Sequence, residues 1–337
     1  MSAQVADCGS ISRMTSRMTP LALALALVAP LPAYGASDPV ADVANIRFHS
    51  DELMNLHHFL YAWAWRTRTQ GRPLSQRLDA LPTAPFTTEE RAAWEAAVGY
   101  YDRELASKDL LFGEGMTAIK TALVSARLDD QAIAPALRAA LQSALPIYRR
   151  HFWPEHDRVN RAWIADIGGR VGSLREEVVP RLETLYATKW FATPERADIV
   201  WVGNWAGGYA SGGPTHATIS STHPGTQGWE AAETVFHEYS HILVGGLSGK
   251  LNAALGDGVK QHPVLWHTIQ FHLTGQAVRE ALARRNIAYA PSVEELFQRA
   301  WPQYQQPVKD AWAPYLEGRT TMDDAIARTV AALSPPK

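Results

Sequence analysis

The segment "HEYSH", His237 to His241, has residue types and a spacing that suit metal-dependent hydrolysis. On an α-helix, residues i and i+4 lie on one face, so the imidazoles of His237 and His241 can reach a single Zn²⁺ ion. Glu238 is rotated by about 100° from His237, which places its carboxylate beside the metal. There it can act as the general base that takes a proton from zinc-bound water as this water attacks a carbonyl group.

A catalytic zinc site normally has three protein ligands and one water molecule, so the motif predicts a third ligand elsewhere in the chain. Cys8 is the only cysteine, and it lies within residues 1–35, which are expected to be removed as a signal peptide. We therefore expect this ligand to be His, Asp or Glu. In the metzincin pattern, H-E-x-x-H-x-x-G-x-x-H, the glycine and the third histidine would fall at Val244 and Leu247. Neither residue matches, which excludes that pattern.

Three histidines lie downstream of the motif, in a segment that has no acidic residue between Gly258 and Thr274: His262, His267 and His272. His262 directly precedes Pro263, where a long helix is predicted to begin, and so lies outside that helix. His267 and His272 are five residues apart and therefore point about 140° away from each other on a helix. Only one of these two is expected to face the metal.

From Ile199 to Arg285 the sequence predicts a strand, the H-E-x-x-H helix, a connector and a second long helix. This order resembles that of gluzincin-like zinc metallopeptidases, in which the third ligand is a glutamate on the next long helix. The segment "LWHTIQFHLTGQAVREAL" is also similar to segments of bacterial secreted proteins without an assigned activity. The resemblance implies a zincin-like pair of metal-binding helices, with His267 where gluzincins have their glutamate. We therefore expect a His₃ zinc site of His237, His241 and His267, with His272 or an acidic residue as the alternative third ligand.

The same resemblance implies a zinc-dependent hydrolase, in the first place a metallopeptidase that acts on a peptide or protein substrate with Glu238 as its general base. Two alternatives stay open: a zinc-binding scaffold or sensor without turnover, and an amidase that acts on cell-wall peptides. In zincins the strand before the metal helix often forms the edge of the cleft, where an extended peptide adds as a further strand. We expect "THATISS", Thr215 to Ser221, to take that place. The glycine-rich "GNWAGGYASGG" is expected to be either a flap or an exposed turn.

Hydrolysis of an amide also needs a donor for the oxyanion of the tetrahedral intermediate. Tyr209, His216 and Tyr289 are the candidates, because they lie near the predicted strands or just after the third-ligand helix. Glu233 lies one turn before His237 on the same helix. It is expected either to orient a ligand imidazole or to be an exposed surface residue.

The other histidines are expected to be structural. His57 and His58 lie in the aromatic-rich "NLHHFLYAWAW", which favours one buried, hydrogen-bonded histidine beside one on the surface. His151, His156 and Asp157 in "HFWPEHD" have a spacing that suits no single helical face. We therefore do not expect them to form a second metal site.

Residues 1–35 have the pattern of a secretory signal peptide. Arg13 and Arg17 precede the apolar run "LALALALVAPLPA", and small residues follow it, with cleavage expected after Gly35. Pro30 and Pro32 interrupt this run, which is also too short to span a bilayer comfortably. The sequence thus predicts a periplasmic or secreted protein without a membrane segment after cleavage.

The remaining chain predicts two regions, which the sequence allows to pack as one domain. Residues 36–193 form a helical region, with successive helices from Ile46 to Trp190, and residues 194–337 form the zincin-like metal-binding region. The overall fold is therefore expected to be mainly α with a small β-sheet. A net charge of −2 argues against nucleic-acid binding, and 46% hydrophobic residues are typical of a globular protein with a sizeable core.

Overall fold

Helices dominate the structure, a computed structural model that describes residues 37–68, 85–111, 113–125, 133–203, 206–211 and 215–333. The helices and strands in chain order are β1 (Ala41–Val43), β2 (Ile46–His49), α1 (Glu52–Arg68), α2 (Thr88–Glu104), α3 (Glu114–Ser125), α4 (Pro135–His151), α5 (Trp153–Tyr186), β3 (Glu195–Val200), β4 (Gly208–Ser211), β5 (His216–Ser220), α6 (Gly228–Ser240), α7 (Gly245–Leu255), α8 (Leu265–Ala283), α9 (Val293–Arg299), α10 (Pro302–Leu316) and α11 (Met322–Leu333). The prediction of a mainly α fold with a small β-sheet is confirmed. The predicted signal peptide lies outside the described residues.

The sheet has five strands in the order β1-β2-β3-β5-β4. The central strands β2, β3 and β5 are parallel, whereas β1 and β4 run antiparallel to their neighbours at the two edges. The sheet joins both sides of position 194, because β2 from the predicted helical region pairs with β3 from the predicted metal-binding region. The described residues belong to one compact unit.

The two faces of the sheet differ in chemistry, because successive side chains on a strand point to opposite faces. Ala197, Ile199, Ala217 and Ile219 form an apolar face and join the core that includes α5, α6 and α8. The opposite face carries Asp198, Thr218 and Tyr209, which are also buried. The helices α1 to α4 form a second core on this side, together with Val200, Val202 and Tyr209.

Helix α6 lies at the centre of the structure and packs against both α5 and α8. Ala231, Ala232, Val235, Phe236 and Tyr239 of α6 are all fully buried. Their burial removes apolar surface from water on several sides of the helix, which stabilises it and fixes its position. The side chains of "HEYSH" are therefore presented from a rigid element.

One local prediction was wrong. Ile46 to His49 is a strand and not the start of a helix, because Ile46, Phe48 and His49 are buried and the segment pairs in parallel with β3. Most residues between Arg149 and Trp190 belong to a single helix, the 34-residue α5. Gly245 and Gly246 begin α7, which lies between α6 and α8, where the sequence predicted a connector.

No helix among the described residues is both long enough and apolar enough to cross a membrane.

Candidate metal centre

The "HEYSH" segment forms the last turn of α6. The helix ends at Ser240, and His241 directly after it still has right-handed helical angles, φ −57° and ψ −27°. His237 and His241 therefore keep the i, i+4 relation of an α-helix and lie on the same face. The third histidine, His267, comes from the first turn of α8, which packs against α6.

The structure brings His237, His241 and His267 together. Their ring centroids are 5.1 Å apart for His237 and His241, 5.1 Å for His237 and His267, and 5.2 Å for His241 and His267. One nitrogen atom of each ring lies within 4.8 Å of those of the other two, and the Nε2 atoms of His237 and His267 are 3.0 Å apart. Three imidazoles thus converge on one point from two helices.

This donor set fits a metal ion. Tetrahedral zinc with Zn–N bonds of about 2.0–2.1 Å requires nitrogen atoms about 3.3 Å apart, close to the observed separation of His237 and His267. Burial lowers the pKa of His237 well below its usual value, that of His241 to about 4 and that of His267 to about 3. The rings are therefore neutral near pH 7, which is the form that binds a metal.

The other potential ligands have different surroundings. His262 Nδ1 lies 3.2 Å from the hydroxyl of Tyr304, and Glu280 forms an ion pair with Arg181. His272 is buried on α8 near Phe297, and neither of its ring nitrogens has a hydrogen-bond partner among the described residues. Only His237, His241 and His267 form a potential metal-binding cluster within the part of the chain that the structure describes.

Half-buried aromatic side chains hold the three rings in place. Phe271, one turn after His267, stacks on His237 with centroids 3.6 Å apart and an interplanar angle of 20°. Trp266 stacks on His267 at 5.0 Å and meets His241 edge-on at 5.8 Å. These contacts restrict ring rotation, so little conformational entropy remains to be lost when a metal binds.

Side-chain hydrogen bonds from α8 join it to α6. The side-chain amide of Gln270 on α8 donates to the His237 carbonyl at 3.1 Å and to Ser240 Oγ at 2.8 Å. The Thr274 hydroxyl lies 3.2 Å from the same Ser240 Oγ. All four residues are buried, where such bonds fix the register of α8 against α6. The separation of His267 from the motif therefore depends on both helices together.

Glu238 lies between the triad and the edge strand β4. Its Oε2 is 3.9 Å from His241 Nε2, and its Oε1 lies against Gly208 of β4. Burial raises the pKa of Glu238 to about 8, while the nearby Lys120 and the Ala210 amide act in the opposite direction. A buried carboxyl with a pKa near neutrality is suited to accepting and returning a proton.

Strand β4 approaches α6 so closely that it requires a glycine. A Cβ atom on Gly208 would lie 3.0 Å from Thr234 Cγ2 and 3.3 Å from Glu238 Oε1. Glycine allows this approach because it has no side chain. The backbone of β4 therefore forms one wall beside Glu238.

The edge of the sheet is not the strand that the sequence indicated. We expected Thr215 to Ser221 at the edge, but β5 lies between β3 and β4. The edge strand is β4, from the glycine-rich segment predicted to be a flap or an exposed turn. Residues 204–205 and 212–214 of that segment lie outside the described residues.

All three candidate oxyanion donors have protein partners for their polar atoms. The Tyr289 hydroxyl donates to Glu233 Oε2 at 2.5 Å, the Tyr209 hydroxyl lies 2.8 Å from His58 Nε2, and His216 Nε2 lies 2.6 Å from Asp198 Oδ2. None of these contacts directs the group toward the triad.

Glu233 matches neither of its predicted roles. It is buried and accepts hydrogen bonds from the Tyr289 hydroxyl and the Ser292 amide. His237 Nδ1 has no hydrogen-bond partner among the described residues, so Glu233 does not orient that ring. Burial raises the pKa of Glu233 to about 7. Its contacts instead attach the segment after α8 to the metal helix.

The histidines of the helical region have structural partners. His57 and His58 are both fully buried, so the prediction of one surface histidine was wrong. His156 Nδ1 lies 2.8 Å from the Tyr148 hydroxyl, and His151 pairs with Glu90. Asp157 pairs with Arg161.

Two features near the site were not found from the sequence. Lys120 on α3 is buried and acts electrostatically on Glu238, although more than 100 residues separate them. Asp198 on β3 is buried and is held by Arg196 and His216. No motif marks either residue, because the contact of Lys120 with Glu238 and that of Asp198 with His216 depend on packing between separate elements.

Comparisons with protein families, with curated proteins and with solved structures find no match to this chain.

Proposed function

We propose that the protein is a zinc-dependent hydrolase, and more specifically a gluzincin-like metallopeptidase with histidine as its third ligand. The observation that carries this proposal is the convergence of three histidines, His237 buried and His241 and His267 half-buried, next to the buried carboxyl group of Glu238 from the same motif. His237, His241 and His267 would hold the ion, and the predicted signal at residues 1–35 would direct the enzyme to the periplasm or the exterior. N-terminal sequencing of the exported chain tests that last part.

A zinc ion bound by this triad would supply Lewis acidity, which lowers the pKa of a water molecule and polarises a carbonyl group. Glu238 then serves as the proton carrier: its carboxylate accepts the proton of the attacking water and passes it to the leaving nitrogen. Both transfers need the carboxylate close to the reacting atoms, and Glu238 Oε2 lies 3.9 Å from His241 Nε2, next to the triad.

The edge strand supports a peptide as the substrate class. Among the described residues, β4 pairs on one side only, with β5, and its backbone lies directly against Glu238. An extended peptide can add to such an edge through main-chain hydrogen bonds. Its carbonyl groups would then lie alongside the general base, whatever their side chains.

The proposal is tested with the purified protein, its metal content and a peptide library, with and without a chelator. Glu238→Gln should keep one zinc per chain and lose activity by about 10²–10⁴-fold, the range for a lost general base. Glu230→Gln is the matched control, because Glu230 is an exposed carboxylate of the same helix. Full activity in Glu238→Gln would overturn the mechanism.

The library also separates the alternatives. Stoichiometric zinc without cleavage of any peptide would indicate a zinc-binding scaffold or sensor. Cleavage restricted to a peptidoglycan digest would indicate an amidase that acts on cell-wall peptides.

A further inference from the structure

Lys120 is a buried amine that joins α3 of the helical region to the strands β4 and β5. It lies on α3, and its residue is only 2% exposed. Its Nζ donates to the backbone carbonyl of His216 on β5 at 2.6 Å and lies 4.2 Å from the centre of the Tyr209 ring on β4. One side chain thus contacts both strands of the β4–β5 pair.

The opposite face of β4 contacts the metal helix. Tyr209 points toward Lys120, so its neighbours Gly208 and Ala210 point toward α6, because side chains alternate along a strand. Gly208 lies against Thr234 and Glu238, because a Cβ atom on it would be 3.0 Å from Thr234 Cγ2 and 3.3 Å from Glu238 Oε1. The strand is therefore enclosed between Lys120 on one face and Glu238 on the other.

A buried amine at this position costs free energy that packing alone does not require. A buried ammonium group loses its hydration, and a methionine would fill a similar volume without that penalty. The nearest carboxylate on this face, Asp198, already binds Arg196 and His216. Lys120 instead directs its donor at the strand backbone, and burial lowers the pKa of its amine to about 7.

We propose that Lys120 is a positioning residue that fixes the edge strand β4 against Glu238 of the metal helix. The helical region is then part of the catalytic unit, because α3 determines where the backbone of β4 lies. The turnover part of this proposal rests on the proposed function, whereas the position of β4 can be measured without it.

The proposal separates metal binding from turnover. The three potential ligands lie on α6, directly after it and on α8, and Gln270 and Ser240 join these two helices. The hydrogen bond and the ring contact of Lys120 are with His216 and Tyr209 and involve none of the ligands. Removing the amine should therefore leave zinc binding intact while β4 becomes looser. A shift of about 1 Å at a reacting group can lower a rate by about 100-fold. We expect kcat to fall by at least about tenfold, with a smaller change in KM.

The experiment compares Lys120→Met, Lys120→Arg and Leu123→Ala. Leu123 is a buried residue of the same helix, so its truncation weakens packing without touching the amine. For each variant, zinc content, thermal unfolding, kcat, KM and hydrogen–deuterium exchange of peptides covering β4 are measured. Lys120→Gln, which keeps a donor, replaces Lys120→Met if the latter does not fold.

Lys120→Met should bind one zinc per chain, show faster hydrogen–deuterium exchange in β4 and have a lower kcat. Lys120→Arg should restore part of the protection of β4 and part of kcat. Leu123→Ala should lose stability but keep kcat. Unchanged kcat and unchanged β4 exchange in Lys120→Met would overturn the proposal, as would an equal loss of kcat in Leu123→Ala. If the parent protein hydrolyses nothing, the proposed function fails, and β4 exchange alone still decides whether Lys120 anchors the strand.

Discussion

Two groups of histidines in this protein share a lowered pKa but have different partners. His57, His58 and His156 of the helical region are buried, and burial lowers the pKa of each. In the triad, His237 is buried and His241 and His267 are half-buried, and burial lowers the pKa of all three. Burial and a lowered pKa therefore do not distinguish a potential metal site from a structural histidine.

The direction of the ring nitrogens makes the difference. The rings of His57 and His58 are 5.2 Å apart, about as close as two rings of the triad. However, His57 Nδ1 faces the Tyr101 hydroxyl, and the two nitrogens of His58 face the Met54 carbonyl and the Tyr209 hydroxyl. In the triad, by contrast, the nitrogens face one another. A metal ion needs convergent lone pairs, which only the second group offers.

The largest expected effect is the loss of metal on removing a triad member. His267→Ala leaves two ligands, so zinc affinity should fall by more than the roughly 10- to 100-fold caused by losing a residue that only orients a ligand. His272→Ala and His58→Phe should retain zinc, because neither residue faces the cluster. Zinc titration of the three variants measures this. Equal zinc binding in His267→Ala and the parent would remove the distinction between the two groups.

An intermediate effect is expected on the pH dependence of stability, through the buried histidines of the helical region. Burial lowers the pKa of His156 to about 3, below about 6.5 in an unfolded chain, so the unfolded state binds more protons between these values. The stability from keeping this ring neutral is therefore complete above pH 6.5 and is lost as the pH falls. At pH 5 the loss is about 2 kcal/mol, from roughly 1.5 pH units at 1.36 kcal/mol each.

His156→Phe tests this contribution. The variant should reduce the proton uptake on unfolding near pH 5 by about one, read from the slope of the free energy of unfolding against pH. Its zinc affinity should stay that of the parent. An unchanged slope would mean that His156 is protonated in the folded protein.

The smallest expected effect concerns the orientation of the triad. Phe271→Leu removes the ring that stacks on His237 but keeps an apolar side chain of similar volume. Zinc affinity should fall by about tenfold, as for the loss of other groups that orient a ligand. Phe297→Leu is the control, because Phe297 lies near His272 and not near the triad. Equal losses in both variants would show that the effect comes from general destabilisation.

The sequence was most informative where the interactions are local. The i, i+4 spacing of His237 and His241 depends only on helix geometry, and the structure preserves it. Local rules also place His262 outside the helix, because it directly precedes Pro263. They direct His267 and His272 to different sides of the helix, because the two residues are five apart. These considerations left His267 and His272 as candidates, and the resemblance to gluzincins favoured His267, which the structure brings next to the motif.

Predictions that needed contacts between distant segments were less successful. Tyr209, His216 and Tyr289 are all near the predicted site in sequence or topology, yet each binds another buried group. Glu233 is directed to Tyr289 and Ser292 by the fold of the segment after α8. A side chain's partner in the core depends on which elements pack beside it, and no local pattern contains that information.

The sequence by itself determined the donor types, their shared helical face and the mainly α character of the chain, because helical periodicity and residue chemistry are local properties. Only the tertiary structure decided that β4 and not β5 forms the edge of the sheet, and that Lys120 lies behind it. Strand order and buried contacts arise from packing over more than 90 residues of chain. Two of the three potential ligands could thus be read from the motif, and the resemblance to gluzincins indicated the third, whereas the wall beside Glu238 required the fold.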